Sequence, residues 1–316
     1  MTSTTRDYQT EEQDRSFTEK SLDQSFFWVT RILAVGVVAV LFWIAVKVAI
    51  QAWPAIQEFG FQFLTTSAWN PPEQKYGVLP MIYGTLVSSF LALLIAFPIG
   101  LASALVLSEN FLPVSARTIL TFLVELLAAI PSVVYGLWGV YVLIPFLKPI
   151  GSWLHNNLGW IPIFSSEYIG PGMLPAAVIL AVMILPIFTT ISRDSLAALP
   201  QELRWGSYGV GSTRWQAIFS VLIPAAFSGI VGGAMLALGR ALGETMAVTL
   251  VIGNSNNLNF SLLAPANTIS SLMASQFSEA SGLQRSALMY AGLILFAITL
   301  IVNILAELIV RQVKKY

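Results

Sequence analysis

The sequence predicts an all-α membrane protein that crosses the bilayer six times, and its composition and its apolar segments carry this prediction. Hydrophobic residues make up 56% of the 316 residues, charged residues make up only 10%, and the mean hydropathy is +0.75. Soluble domains carry about 25% charged residues. Six apolar segments are each long enough to cross about 30 Å of hydrocarbon at about 1.5 Å per residue. We predict these spans at residues 26–50, 79–107, 118–146, 172–192, 228–253 and 286–310.

The composition also excludes several classes of function. The chain has no cysteine and one histidine, His155, so it predicts neither a thiolate nor a histidine metal cluster. Its formal net charge is zero, which argues against a nucleic-acid partner. No glycine precedes a lysine, so the phosphate-cradling loop of ATPases is missing from the sequence. We therefore predict no cofactor and no catalytic residues, and we expect that any energy from ATP is supplied by another chain.

The residues before the first span form a polar segment. Acidic side chains outnumber basic ones in residues 1–25, and large apolar side chains are scarce. Such a segment cannot bury enough apolar surface to fold alone. The sequence therefore predicts a disordered cytoplasmic tail over 1–25, followed by one six-span domain over 26–316.

The orientation of the spans follows from the basic residues. With the amino terminus inside, only Lys75, Lys148 and Arg285 lie in outer segments. Basic loops tend to remain in the cytoplasm, so both termini are predicted to be cytoplasmic. The predicted inner segments hold ten basic residues: Arg6, Arg15, Lys20, Arg117, Arg193, Arg204, Arg214, Arg311, Lys314 and Lys315.

Two charged side chains stand within the fifth predicted span, in LALGRALGETMAVTLVIGN over residues 236–254. A charge at the centre of a spanning helix costs about 2.5–3.5 kcal/mol on insertion-derived scales, so Arg240 and Glu244 require a structural or functional reason. Four residues apart, they would share one face of a helix. They could form a buried ion pair that fixes packing, or a polar station on a transport path. Thr245 and Thr249 could add hydroxyl donors near the same face.

Glycines and a second polar group accompany this pair. Gly229 and Gly233 predict close helix packing, whereas Gly239 and Gly243 suit either close packing or the lining of a path. In ELLAAIPSVVYGLWG, Glu125, Ser132 and Tyr135 are secondary candidates for a pathway. The alternatives are that Glu125 is an acid near the inner surface and that the Ser132 hydroxyl bonds back within its helix. Pro98, Pro131 and Pro186 each remove a backbone hydrogen bond from a span and should bend it.

The largest inner loop, over about residues 193–227, predicts a helix–turn–helix lying along the membrane surface. It reads RDSLAALPQELRWGSYGVGSTRWQAIFSVLIPAAF, with a glycine-centred turn between two amphipathic pieces. Such an element could be an interfacial anchor or a surface that binds a partner. The outer segment 254–285 is rich in serine and asparagine and predicts a loop with one short helix.

This inner loop resembles the coupling loop of ABC importer permeases, which docks into a groove of the ATPase subunit. Gly211 is followed after nine residues by Val221-Leu222-Ile223-Pro224, which is similar to the glycine and Ile-x-Leu-Pro portion of that motif. The opening Glu-Ala-Ala is replaced by Trp205, Gly206 and Ser207, which puts in doubt the contacts made by the motif's acid. The resemblance implies that Arg204, Gly211, Arg214 and Pro224 take part in ATPase coupling.

Three further blocks are similar to the phosphate-specific permeases of binding-protein-dependent type I ABC importers. They are GRALGETMAV at 239–248, ELLAAIPSVVYG at 125–136 and YGVLPMIYGTL at 76–86. The resemblance implies the type I importer permease fold, a bacterial inner-membrane location, and a role for Arg240 and Glu244 in translocation of inorganic phosphate. It also implies a partner permease of the PstA type, a pair of ATPases of the PstB type, and a periplasmic phosphate-binding protein of the PstS type.

A mechanism follows from the chemistry of the two charged residues. A planar guanidinium is well shaped to hold the oxygens of a phosphate, and Glu244 would partly neutralise Arg240 at rest so that the anion is not held too long. A permease for another oxyanion, molybdate or sulfate, would share these features. An intramembrane enzyme or a channel is a further alternative, distinguished by unaided catalysis or by conduction without nucleotide.

Overall fold

The computed structural model describes residues 17–109 and 111–313, and it is helical through most of that length. A two-stranded antiparallel sheet pairs β1 (Trp69–Asn70) with β2 (Lys75–Tyr76). In chain order the helices are α1 (Phe17–Phe59), α2 (Gln62–Thr65), α3 (Leu79–Ser108), α4 (Val114–Ala129), α5 (Ser132–Leu158), α6 (Met173–Ala197), α7 (Gln201–Gly209), α8 (Arg214–Gly243), α9 (Met246–Val251), α10 (Ile269–Gln276) and α11 (Gly282–Val313).

Six of these helices are long and apolar enough to cross a membrane: α1, α3, α5, α6, α8 and α11. The prediction of an all-α protein with six spans is therefore confirmed. Helix α1 begins at Phe17, inside the segment predicted to be a disordered tail. The rest of that prediction, residues 1–16, lies outside the described residues.

The chain divides into two compact units, residues 1–51 and residues 52–316. Within the first unit, the apolar side chains of α1 are exposed over most of the helix. An apolar helix with nothing packed on it in its own unit is suited to contact with lipid or with another chain.

In the second unit the core is centred on α6, which is buried along much of its length and packs against α3 and α8. Small residues allow α8 to approach α6 closely. A Cβ atom added at Gly229 of α8 would lie 2.1 Å from the Ser195 Oγ of α6, and one added at Gly233 would lie 3.1 Å from Ile191 Cγ2. The prediction that this first glycine pair packs tightly is confirmed. Nothing lies within 4 Å of a Cβ added at Gly239 or Gly243.

The third predicted span, 118–146, is wrong in its boundaries because Pro131 divides it. A proline disfavours the helical conformation in the residue before it, and Ile130 is extended at φ −67° and ψ 128°. Helix α4 therefore ends at Ala129 and is separate, whereas the span itself is α5, which runs on to Leu158. Pro98 and Pro186 do lie inside their helices, α3 and α6.

The fifth predicted span, 228–253, is also misplaced. Helix α8 begins at Arg214, within the predicted inner loop, and ends at Gly243. Glu244 is extended at φ −66° and ψ 129°, and a short helix, α9, follows. The Thr245 hydroxyl donates to the Gly243 carbonyl at 3.1 Å, a local bond that competes with continued helix.

Helices α5 and α8 share an irregularity with a common origin in the sequence. The tetrapeptide Val-Leu-Ile-Pro occurs at 142–145 and again at 221–224. In each copy the isoleucine N–H donates to the carbonyl five residues earlier, so a single π-helical turn precedes the proline. A proline cannot continue the ordinary ladder, and the wider turn keeps the span continuous around it.

The predicted inner loop has the expected helix–turn–helix form. Helix α7 is followed by Gly211 at φ +86°, a left-handed conformation that favours glycine. Helix α8 then begins with a capping box, in which the Thr213 hydroxyl and the Gln216 side chain each accept from the other's backbone N–H.

The segment 254–285 contains the one predicted helix, α10, but much of it is buried. A Cβ added at Gly84 of α3 would lie 2.0 Å from the Asn267 carbonyl oxygen, so the loop lies against α3. The Thr85 hydroxyl accepts from the Ile269 N–H at 3.0 Å, and Asn267 Nδ2 donates to Asn256 Oδ1 at 2.8 Å. The polar composition of this segment thus serves internal hydrogen bonds as well as solvent.

Candidate functional site

The break between α8 and α9 holds the pair of charged residues found in the sequence. Arg240 lies in the last turn of α8, where the helix dipole favours a cation. Its side chain is exposed in the single chain, and Gly239 and Gly243 beside it leave open space. The described chain does not use this glycine pair for close packing, which leaves room for a solute or another chain.

The prediction that Arg240 and Glu244 stack on one face of a continuous helix is wrong, since α8 ends before Glu244. Among the described residues, the salt bridges within 4.0 Å do not join these two side chains. The Glu244 carboxylate instead accepts a hydrogen bond from the Ala247 N–H of α9 at 3.3 Å. Glu244 therefore caps the short helix and does not neutralise the guanidinium directly.

Tyr135 of α5 is the other predicted residue at this break. The Tyr135 side chain is buried. The Tyr135 hydroxyl donates to the Leu127 carbonyl at 2.8 Å and so ties α5 to the end of α4. A Cβ added to the adjacent Gly136 would lie 3.1 Å from Ala247 Cα, which shows how closely α5 and α9 pack.

The two threonines near the break use their hydroxyl hydrogens on the backbone. The Thr245 hydroxyl donates to the Gly243 carbonyl, and the Thr249 hydroxyl donates to the Thr245 carbonyl at 2.7 Å. They are therefore engaged as donors in this structure and offer acceptor lone pairs instead. Ser132 occupies the first position of α5, where no preceding helical turn exists for its hydroxyl to bond back to.

Glu125 is not brought to the break by any contact in the described chain. Its carboxylate lies 3.9 Å from Arg193 Nη1, near the end of α6, and Arg193 also pairs with Asp194 at 2.9 Å. The Glu125 side chain is more than half exposed, at 57%. This position fits the alternative of an acid near the membrane surface. His155 likewise has a structural partner, with Nδ1 3.2 Å from the Phe164 carbonyl.

A second polar cluster joins α7 to the ends of α3 and α6. The Arg204 guanidinium contacts both carboxylate oxygens of Glu109, with Nη2 2.9 Å and Nε 3.2 Å from Oε1. The same guanidinium donates to the carbonyls of Leu196 and Leu199 at 2.8 and 3.1 Å. Side-chain exposure is 16% for Arg204 and 6% for Glu109, so the pair is largely removed from water.

Sequence reasoning missed Glu109 as a member of this cluster. A single acid directly after the apolar run of α3 gives no sign that it pairs with an arginine 95 residues later. The other residues predicted for coupling lie nearby along the chain. The Arg214 guanidinium lies 3.7 Å from the centre of the Phe111 ring. Pro224 is exposed and lies directly after the π-helical turn of α8 and Ile223.

Comparisons with known proteins agree with this architecture. The family model described as binding-protein-dependent transport system inner membrane component matches residues 96–315. The phosphate transport system permease protein PstC of Mesorhizobium japonicum is 44% identical over 297 residues, which cover 92% of this chain and 90% of that protein. The protein of the same name from Pasteurella multocida is 42% identical and covers 92% of both chains.

A solved structure shows the same fold at low sequence identity. It is the crystal structure of a bacterial alginate ABC transporter in complex with an alginate pentasaccharide-bound periplasmic protein. One of its chains matches with a TM-score of 0.63 and 17% identity, covering 94% of this chain and 98% of that chain. This likeness concerns the arrangement of the helices alone.

Proposed function

Because the chain belongs to the family of binding-protein-dependent transport system inner membrane components, we propose that it is a transmembrane permease subunit of an ATP-driven phosphate importer. Relatives that bear the name of a phosphate permease and match nine-tenths of the chain support this proposal. With a second permease of the PstA type it would enclose the path for inorganic phosphate. A periplasmic phosphate-binding protein of the PstS type would deliver the anion.

The observation that carries the proposal is the exposed guanidinium of Arg240 at the end of α8. A cation within a spanning segment is costly unless it faces a wet path or a partner. Arg240 has open space beside it and no ion pair within the described chain. Phosphate would approach its planar fork and accept two hydrogen bonds from it.

The position of Glu244 provides a reason for phosphate to leave Arg240. Glu244 is held by the α9 backbone a few residues from Arg240, so its negative charge is nearby without occupying the guanidinium. The carboxylate would repel a bound phosphate and limit how long it stays. Passage requires binding that is favourable enough for entry and weak enough for release.

Energy would come from separate ATPases of the PstB type, since the sequence has no phosphate-cradling loop of its own. The proposal assigns coupling to α7, the turn at Gly211, and the start of α8 with Arg214 and Pro224. Arg204 would act inside the protein, because its hydrogen bonds link α7 to the ends of both α3 and α6. A displacement of α7 by the ATPase would thereby move two spans together.

The proposed location is the bacterial inner membrane with both termini in the cytoplasm. The description of the matching family as an inner membrane component supports the location. The excess of basic residues in the predicted inner segments supports the orientation.

The test is radiolabelled phosphate uptake into vesicles that contain the assembled transporter. Arg240→Gln should reduce uptake to background while the subunits still co-purify. Arg240→Lys should restore only part of the rate, because an ammonium keeps the charge but lacks the bidentate fork. Arg285→Gln, which removes a charge from a predicted outer segment, should transport normally.

Competition by other oxyanions tests the choice of solute. Unlabelled phosphate should compete with the label, whereas molybdate and sulfate at the same concentration should not. Normal uptake by Arg240→Gln would refute the role of the guanidinium, and stronger competition by molybdate or sulfate would refute phosphate as the substrate.

A further inference from the structure

The predicted outer loop that contains α10 contacts both helices of the break between α8 and α9. The Ser270 hydroxyl of α10 donates to the Leu242 carbonyl, in the last turn of α8, at 3.4 Å. The Ala266 N–H donates to the Ile252 carbonyl, directly after α9, at 3.0 Å. A stretch of five residues, 266–270, therefore bonds to the end of α8 and to the end of α9.

The end of α8 needs donors because the last carbonyls of a helix have no partner in the regular ladder. The carbonyls of Ala241 and Gly243 accept from residues that follow closely in the chain. The Leu242 carbonyl differs from them, because its donor, Ser270, lies 28 residues later. Leu242 is 1% exposed and Ser270 is 5% exposed, so solvent does not readily replace this hydroxyl.

Helix α10 is itself fixed by hydrogen bonds to elements other than α8. At its start, the Thr85 hydroxyl of α3 accepts from the Ile269 N–H at 3.0 Å. At its end, Gln276 Oε1 accepts from Trp69 Nε1 of β1 at 2.9 Å. Because α3 and β1 hold α10 at its two ends, the Ser270 hydroxyl is a fixed donor, and the end of α8 takes its position from it.

We propose that Ser270 is a positioning residue for Arg240, because it bonds to the helical turn that carries the guanidinium. Gly239 and Gly243 leave open space beside Arg240, so side chains at these positions give the turn no support. The support comes from the buried side of α8, through the Leu242 carbonyl.

The orientation of the guanidinium matters because a planar fork gives a phosphate two parallel hydrogen bonds only when it is aligned with the oxygens. In this respect the inference rests on the proposed role of Arg240 in phosphate transport. The position of the α8 end can nevertheless be measured without any transport, so the two proposals can fail separately.

The first experiment measures how firmly the end of α8 is held. The chain has no cysteine, so Gly239→Cys, at a position with open space, can carry a nitroxide spin label in an assembled transporter whose partner subunits lack reactive cysteines. Ser270→Ala should make the label more mobile, which narrows the lines of its electron paramagnetic resonance spectrum. The matched control is Ser88→Ala, which removes another buried hydroxyl with a 3.4 Å bond, but one made to the Thr85 carbonyl of its own helix, and it should leave the spectrum unchanged.

The second experiment measures phosphate uptake into vesicles that contain the assembled transporter. Ser270→Ala should lower the rate about fivefold with assembly unchanged, which corresponds to about 1 kcal/mol, the typical net value of one hydrogen bond. In an Arg240→Lys background the same substitution should have little effect, because an ammonium is a point charge without a planar fork to align. A purely structural role of Ser270 would lower uptake equally in both backgrounds.

An unchanged spectrum for Ser270→Ala, normal uptake by this variant, or an equal loss of uptake in the two backgrounds would overturn the proposal. A failure of the proposed function shows separately, as normal uptake by Arg240→Gln. The spin-label spectrum does not depend on that result.

Discussion

Replacing Glu109 with glutamine removes the carboxylate that faces Arg204 while preserving the shape of the side chain. In the native structure the guanidinium contacts both carboxylate oxygens and two carbonyls at the end of α6. The amide oxygen of Glu109→Gln can still accept from the guanidinium, but its NH₂ group replaces the second carboxylate oxygen and would face the cation. The buried positive charge of Arg204 is then left without a counter-charge.

The expected loss can be estimated from the burial of the pair. Removing one partner of a buried ion pair typically costs about 3–5 kcal/mol, because the remaining charge stays desolvated. Arg204 keeps 16% of its side chain exposed and lines a polar cavity, so partial solvation favours the lower end of that range. We expect Glu109→Gln to lower the free energy of unfolding by about 3 kcal/mol.

The chain supplies a matched control in the pair formed by Glu73 and Lys75. Lys75 Nζ lies 2.9 Å from Glu73 Oε2, the same distance as that from Arg204 Nη2 to Glu109 Oε1. The side chains of Glu73 and Lys75 are, however, 56% and 68% exposed. Solvent screens an exposed pair so strongly that it contributes little to stability, so Glu73→Gln should change the free energy of unfolding little. Because the two pairs have the same separation, a difference between the effects of Glu109→Gln and Glu73→Gln reports the difference in burial.

The assay is unfolding of the purified chain in a titration with sodium dodecyl sulfate, followed by circular dichroism. Arg204→Met alone should also be destabilising, because it leaves Glu109 buried and unpaired. The double variant should be less destabilised than the sum of the two single variants. If Glu109→Gln and Glu73→Gln have the same small effect, the Arg204 cluster is not the desolvated clamp described above.

Three further predictions concern backbone conformation, packing and ionisation. Gly211→Ala should destabilise the chain by about 1 kcal/mol because its φ of +86° is unfavourable for a side chain, whereas Gly206→Ala within α7 should be neutral or stabilising, as thermal unfolding can measure. Gly229→Ala should cost about 1–3 kcal/mol in the same measurement because the added Cβ has no room, whereas Gly239→Ala meets open space and should be tolerated. Burial raises the pKa of Tyr168 from 10.0 to about 12. The stability that depends on its neutral phenol is therefore complete below pH 10 and is lost as the pH rises through 12. Tyr168→Phe should remove the ionisation step near pH 12 from a titration followed by phenolate absorbance.

The general outline of the site could be predicted, but its internal contacts could not. Arg240 stands out in the sequence because a charge in an apolar segment is a local anomaly. Its relation to Glu244 depended on whether the helix continued, and the helix ends at Gly243. The spacing of four residues was therefore a poor guide to contact. Tyr135 could be proposed from its motif, but its bond to Leu127 required α4 and α5 to be separate helices.

The sequence by itself determined that this chain is a six-span membrane protein with a helix–turn–helix that leads from its fourth span into its fifth. Hydropathy, proline and glycine act through neighbouring residues, so these features are readable along the chain. Only the tertiary structure decided that Glu109 meets Arg204, that Gly229 packs tightly while Gly239 faces open space, and that the loop around Asn267 lies against α3. The physical reason is that burial and pairing depend on which segments meet after folding, and those segments are far apart in sequence.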